Sequence, residues 1–269
     1  MQLKLIRHLW GVTLPWEQAF PKFKVEGFVG IEAPMPAPED AERFKRLLRE
    51  HGLEFRGMVF TGGAGVREHV ASLRGQLQQA QGCGATHVTA HSGSDAWSID
   101  QAVEFFMEAM VIEKQLGLEV AHETHRGRLL FNPWQARDVL AKCRGLRLCC
   151  DFSHWVCVAE RLLGDCEDIV RTAAEHCAHV HARVGYEEGP QVPDPSAPEY
   201  APHLAAHERW WDMVWASQRA RGMSASTLTP EFGPPNYMHT VPHTNVPVAD
   251  LWAVCKWMAD RQAKRFAGG

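Results

Sequence analysis

The sequence has no long hydrophobic run, and no segment approaches the about 20 consecutive apolar residues that a membrane-spanning helix needs. The first residues, Met-Gln-Leu-Lys-Leu-Ile-Arg, also lack the apolar core and cleavage site of a signal peptide. Neither sign of charge dominates, since 28 Lys and Arg face 32 Asp and Glu without a basic stripe. We therefore expect a cytoplasmic protein that binds neither membranes nor nucleic acid.

Paired cysteine motifs are also missing. The eight cysteines include no Cys-x-x-Cys pair, and several lie within apolar helix or strand patterns. This excludes a structural zinc site of four cysteines at the usual spacing. We predict reduced, buried cysteines that pack as small hydrophobic side chains.

What the sequence does have is a regular alternation of β-prone apolar runs and stretches of helical period. It occurs eight times within 269 residues, without a long polar linker. Such repetition is typical of βα units around a parallel sheet. The predicted fold is α/β, a (β/α)8 TIM barrel forming a single domain over residues 1–269. Strands are predicted near 2–7, 27–32, 54–60, 86–91, 117–122, 146–151, 178–182 and 225–230, and helices near 14–23, 38–51, 67–82, 98–116, 133–144, 166–177, 206–221 and 247–265.

Two local features qualify this outline. Pro21 lies inside the first predicted helix and is expected to break or end it. The connection at about 184–203 is unusually long and rich in proline. Because it follows the seventh strand, we predict a lid over the barrel mouth.

Polar residues stand at the ends of the predicted strands. The carboxyl ends of barrel strands converge on one face, so these side chains are expected to meet there. Several carboxylates sharing a small mouth need a positive partner, which a divalent cation supplies. An oxygen-rich ligand set favours Mn²⁺ or Mg²⁺, and Co²⁺ or Zn²⁺ also fit. The residues in strand order are His8, Glu32, Thr61, His91, Glu123, Asp151, His181 and Glu231.

The last four of these positions resemble the metal site of the xylose isomerase-like barrels. The resemblance is based on Glu123, on Asp151 with His154 in an Asp-x-x-His pattern, on His181 in His-x-His, and on Glu231. That superfamily includes ketose 3-epimerases and shares its fold with the endonuclease IV group. The resemblance implies that Glu123, Asp151, His181 and Glu231 bind one divalent ion. It also implies that His154 and an arginine hold the substrate.

Other residues near the mouth are candidates for substrate contacts. The nearest arginine is Arg183, which shares a strand face with His181 because the two are two residues apart. His91, Glu32 and Trp10 follow or end the fourth, second and first strands, and we predict that they bind substrate.

The predicted activity is that of a sugar isomerase or epimerase. A metal that holds a carbonyl and a neighbouring hydroxyl promotes proton removal through an enediolate, with Glu123 and Glu231 as the catalytic proton carriers. The acidic pair Glu187-Glu188 in the predicted lid favours a neutral sugar or polyol-like small molecule over a phosphorylated one.

Three alternatives stay open. The same metal site suits a C–C or C-glycoside lyase or a hydrolase. An abasic-site endonuclease is disfavoured, because its Asp-x-His motif appears here as Asp194-Pro195-Ser196. A scaffold with a decayed site is the third. A homo-oligomer is also compatible with the sequence, with Trp210-Trp211-x-x-x-Trp215 as a contact if exposed.

Overall fold

The computed structural model describes residues 1–268 and contains a closed barrel of eight parallel strands. Each strand pairs with the next, and β1 pairs with β8 from Gln2 opposite Ala225 to Leu5 opposite Leu228. This confirms the predicted TIM barrel. The strands are β1 (Gln2–His8), β2 (Gly30–Pro34), β3 (Glu54–Phe60), β4 (His87–His91), β5 (Glu119–Glu123), β6 (Leu148–Cys150), β7 (Cys177–His181) and β8 (Ala225–Thr229).

Helices follow the strands and form the outer layer. Their inward faces are apolar and pack on the barrel, as in α4, where Phe105, Phe106 and Ile112 are fully buried. The helices are α1 (Trp16–Val25), α2 (Ala41–His51), α3 (Val66–Gly82), α4 (Ile99–Leu116), α5 (Pro133–Lys142), α6 (Phe152–Ala159), α7 (Glu167–His176), α8 (Ala201–Ala220) and α9 (Leu251–Gly268). Among the helices of the described residues, none has the length and apolarity needed to cross a membrane.

The predicted elements overlap the observed ones, with three differences. Helix α1 continues through Pro21, because Phe20 and Phe23 are fully buried and their packing offsets the lost hydrogen bond. Helix α6 was not predicted: Asp151 caps it by accepting a hydrogen bond of 3.0 Å from the Ser153 amide. A short hairpin, β9 (Thr240–Val241) with β10 (Val246–Pro247), was also missed.

Packing explains the tryptophan cluster of α8 and the eight cysteines. The side chains of Trp210, Trp211 and Trp215 are buried, so this cluster belongs to the core and offers no exposed oligomer contact. All eight cysteines are free within the described chain, and seven of them are buried.

The connection 184–203 is held against the barrel. The Val192 amide donates to the Val184 carbonyl at 2.8 Å. The Gln191 side chain exchanges two hydrogen bonds with the Gly233 backbone, at 2.7 and 3.1 Å. Its end is helical, since α8 begins at Ala201 and not near 206. Whether this segment acts as a lid stays a prediction.

A buried histidine ties this connection to α8. His207 Nδ1 donates to the His203 carbonyl at 2.8 Å, and its Nε2 accepts from the Gly185 amide at 3.2 Å. The ring is therefore neutral. Burial lowers the pKa of His207 to about 4.

This histidine predicts an acid-sensitive fold. Because the unfolded state has the higher His pKa, it binds the extra proton first, and stability falls as the pH drops from about 6.5 towards 4. The expected loss from His207 is roughly 3 kcal/mol. Urea unfolding at pH 7 and pH 4.5 in EDTA should show a smaller loss for His207→Gln than for wild type. The exposed control His243→Gln should behave like wild type, and an equal pH dependence in all three proteins would contradict the assignment.

Candidate metal centre

Four ligating side chains converge at the carboxyl end of the barrel. Glu123 and His181 are the last residues of β5 and β7, Asp151 directly follows β6, and Glu231 lies two residues after β8. All four are buried, and one ligand atom from each lies within 4.8 Å of the others. The fold thus brings together the residues that the family resemblance singles out as a candidate metal site.

His181 is held with one ring nitrogen towards the carboxylates. Its Nδ1 lies 3.0 Å from Glu231 Oε2 and 3.3 Å from Glu123 Oε1. Its Nε2 lies 3.1 Å from both carboxylate oxygens of Glu32. A Nε2–H donated to Glu32 leaves Nδ1 free as a metal ligand, which is the usual way a carboxylate orients a ligating histidine.

Glu32 therefore has a different position from the predicted one. It is fully enclosed beneath His181, and its oxygens accept hydrogen bonds from Thr89, from Thr229 at 2.5 Å and from His179 at 3.3 Å. Both oxygens are occupied by protein donors. The predicted substrate contact is replaced by a role in orienting His181.

Arg183 points inward as predicted, but it is already paired. Its Nη2 contacts Asp151 Oδ2 and lies 3.2 Å from Glu231 Oε2. Its Nε donates to Ser153 Oγ at 3.2 Å, and the guanidinium stacks 5.0 Å from the Tyr237 ring. Burial raises the pKa of Asp151 to about 6, although the charge of Arg183 opposes this shift.

A row of imidazoles surrounds Glu123. His91 Nε2 lies 2.6 Å from Glu123 Oε2, without the alignment of a hydrogen bond. Arg183 Nη2 donates to His154 Nε2 at 2.7 Å, so His154 is neutral, and burial lowers its pKa well below the ordinary value. The His125 ring centre lies 3.9 Å from that of His154 and 4.5 Å from that of His91. By contrast, His122 faces away from the barrel axis and pairs with Glu113 at 2.8 Å.

The donor set fits a hard divalent cation. Within residues 1–268, Glu123 Oε2 and Glu231 Oε2 are buried atoms without a hydrogen-bond partner. His91 lies 2.6 Å from the first oxygen, and His181 and Arg183 lie 3.0 and 3.2 Å from the second, but none of them is aligned to donate a hydrogen bond. Desolvated carboxylates without aligned donors are costly, and a metal ion would reduce that cost. Three carboxylates and one imidazole suit Mg²⁺ or Mn²⁺ better than a thiophilic metal.

A cavity of about 510 Å³ opens above these residues. Trp10 and His91, for which substrate binding stays a prediction, both line it, and Trp10 packs edge-on to Tyr237 at 4.9 Å. Sequence reasoning missed Arg128, which lies on the loop after β5, because no motif marks that position. The cavity above the candidate metal site is lined by Leu9, Trp10, Pro34, Met58, Phe60, His91, His125, Arg128, Arg183, Glu231 and Tyr237.

A larger groove of about 840 Å³ lies on the outer surface beside α7 and α8.

The fold and the strand-end site define a TIM barrel with a candidate metal centre at its carboxyl face. Residues 22–192 match the family described as the xylose isomerase-like TIM barrel, and the chain belongs to this family. No curated protein matches the sequence.

Solved structures with the same fold differ widely in their described activities. A xylose isomerase-like TIM barrel protein from Mycobacterium smegmatis in complex with magnesium has a TM-score of 0.64 and 12% identity, covering 97% of this chain and 95% of that one. The 3-keto-D-glucoside 4-epimerase from E. coli has a TM-score of 0.63 and 13% identity, covering 98% and 100%. A probable 3-DHS dehydratase from Bacillus anthracis has a TM-score of 0.63 and 14% identity, covering 97% and 99%. At these identities the likeness shows the fold alone.

The site predicts stoichiometric metal binding that depends on Asp151. Calorimetric titration of EDTA-treated protein with Mn²⁺ should give about one equivalent, and Asp151→Asn should weaken binding by at least about tenfold because it removes one ligand charge. The asparagine keeps the oxygen that caps α6. Asp194→Asn is the matched control, since Asp194 caps a turn by accepting from the Ser196 amide at 2.8 Å outside the site. Unchanged Mn²⁺ affinity in Asp151→Asn would remove Asp151 from the ligand set.

Glu32 predicts a second, indirect effect on the metal. Glu32→Gln places an amide donor among the donors of Thr89, Thr229 and His181, so His181 loses its fixed orientation. The Mn²⁺ affinity should fall about 10- to 100-fold. Glu113→Gln is the matched control, because Glu113 accepts from His122 in the same way outside the site. Equal Mn²⁺ affinity in the two variants would contradict the role given to Glu32.

Proposed function

We propose that the protein is a divalent-metal-dependent isomerase or epimerase of a sugar or sugar-like hydroxycarbonyl compound. The observation that carries this proposal is the pair Glu123 and Glu231. Glu123 is the last residue of β5 and Glu231 lies two residues after β8. Both lie beside His181 Nδ1, and each has one buried oxygen without an aligned hydrogen bond. Each glutamate would bind the metal through one oxygen and carry the proton on the other.

Glu123, Asp151, His181 and Glu231 would hold the metal. A bound Mn²⁺ or Mg²⁺ would polarise the substrate carbonyl and acidify the carbon-bound proton beside it.

The two glutamates are in the form that a base requires. Without a metal, burial alone would raise the pKa of Glu231, but the charges of protonated His181 and of Arg183 outweigh it and lower that pKa to about 2. A bound cation would take the place of the charge of His181. The pKa of Glu123 is likewise lowered, because the charges of His91 and His181 outweigh its burial. Ionised carboxylates on two sides of a substrate can remove a proton from one face and return one to the other.

Arg183 and His154 would orient the substrate. Arg183 lines the cavity and has a fixed guanidinium, while His154 Nδ1 is a buried atom without a partner in the described residues. A donor that is already fixed costs little entropy when it binds a substrate oxygen. The two side chains would therefore steady the oxygen of the enediolate.

Deuterium exchange tests this function. Mn²⁺-loaded protein is incubated in D2O with a panel of ketoses and other hydroxyketones, and NMR follows deuterium entering the carbon beside the carbonyl. Glu231→Gln and Glu123→Gln should lower the exchange rate about 10²- to 10⁴-fold, the usual contribution of general base catalysis.

Metal content separates catalysis from metal binding. Each variant is assayed at saturating Mn²⁺, and its bound metal is measured in the same sample; Glu187→Gln, on the connection after β7, is the control. A fully metal-loaded Glu231→Gln protein with undiminished exchange would refute the role of Glu231. Bond cleavage without exchange would identify a lyase or hydrolase instead.

A further inference from the structure

One arginine of the cavity has no partner of opposite charge. Arg128 lines the cavity, yet no carboxylate of residues 1–268 lies within 4.0 Å of its guanidinium. Arg183, the other arginine of the cavity, is paired with Asp151 and Glu231. The lining therefore contains one cation that forms no ion pair with the protein, and Glu123 and Asp95 act on it only from beyond that distance.

Arg128 is nevertheless fixed in place. Its Nη1 donates to the Thr61 carbonyl at 3.0 Å and to the Gly93 carbonyl at 3.3 Å, just beyond β3 and β4. Within the described chain, the hydrogen bonds of Arg128 use Nη1 alone, so Nε and Nη2 are left for a ligand. A guanidinium that is anchored through one nitrogen and open at the others is preorganised to bind an anion.

The surroundings of Arg128 strengthen such a contact. Trp10, Met58 and Phe60 contribute apolar surface to the same cavity. A charge pair beside apolar walls is screened less than one in open water. The same surface would cover the carbon face of a ring.

We propose that the substrate carries a carboxylate, which Arg128 binds, in addition to the hydroxycarbonyl group at the candidate metal centre. This inference rests on the proposed function and narrows its substrate class to sugar acids and related hydroxylated carboxylates. Arg128 can form a planar, two-point contact with a carboxylate.

A phosphate is a poorer match. It carries a charge of about −1.5 to −2 at neutral pH, whereas the cavity offers one uncommitted arginine. The sequence-based preference for a neutral substrate also loses its basis. It depended on Glu187 and Glu188, but neither residue lines the cavity, and Glu187 pairs with His203 at 2.8 Å.

A matched acid and amide, with a phosphate for comparison, test this inference. Mn²⁺-loaded protein is titrated calorimetrically with hexuronates, with the corresponding hexuronamides and with hexose 6-phosphates. The wild type should bind at least one hexuronate about tenfold or more tightly than its amide, a typical contribution of a charge-assisted hydrogen bond. Arg128→Met should abolish this preference, and Arg128→Lys should retain part of it.

Arg126→Met is the control variant. It removes the same charge from the same loop, but Arg126 stacks on Tyr237 at 5.2 Å and does not line the cavity. The preference for the acid should survive in it. Thermal unfolding of all variants shows whether Arg128 acts through the folding of its loop.

The outcomes are distinct. Equal binding of acid and amide, binding of neither, tighter binding of the phosphate, or an equal loss of affinity for acid and amide in Arg128→Met would each overturn the inference. Deuterium exchange confined to neutral sugars would also overturn it while leaving the proposed function intact. A hexuronate preference that depends on Arg128, without any exchange, would support the carboxylate site and count against the proposed chemistry.

Discussion

Four carboxylates buried within one barrel mouth are the constraint on which the rest of this site depends. Glu32, Glu123, Asp151 and Glu231 are all at most 5% exposed. Desolvation and mutual repulsion oppose charging so many acids together. Three sets of contacts stabilise the carboxylates. Hydrogen-bond donors surround Glu32, Arg183 lies between Asp151 and Glu231, and His181 faces three of the acids. Glu123 Oε2 and Glu231 Oε2 still accept no aligned hydrogen bond, although His91, His181 and Arg183 lie within 3.2 Å of them. The number of carboxylates gathered here is the strongest structural argument for a metal ion.

The barrel supplies the convergence that this constraint requires. Parallel strands of a closed sheet deliver their carboxyl ends to one rim, so residues far apart in sequence become neighbours. Below the rim, Glu32 from β2 reaches across the interior to His179 and His181 on β7. Polar residues inside the barrel thus orient the side chains at its rim. The apolar core lies mainly between the sheet and its helices.

The two sides of the barrel mouth differ in the chemistry of their side chains. Strands β5 to β8 contribute the acids and the histidine that suit a metal, while β1 to β3 and the loops after them contribute apolar surface from Leu9, Trp10, Met58 and Phe60. Arg128 adds an uncommitted positive charge. Because one fold can support different activities, these cavity residues, and not the barrel, carry the information about the substrate.

The sequence by itself determined the barrel and its most specific residues. Eight alternating strand and helix patterns predict the fold, and strand-end positions mark Glu123, Asp151, His181 and Glu231, because periodicity and end position are local properties. Tertiary structure alone decided what these and other residues contact. It placed Glu32 under His181, committed Arg183 to the acids, left Arg128 unpaired, and allowed α1 to continue through Pro21. Such contacts join residues up to 149 positions apart, and no local pattern records which pairs meet.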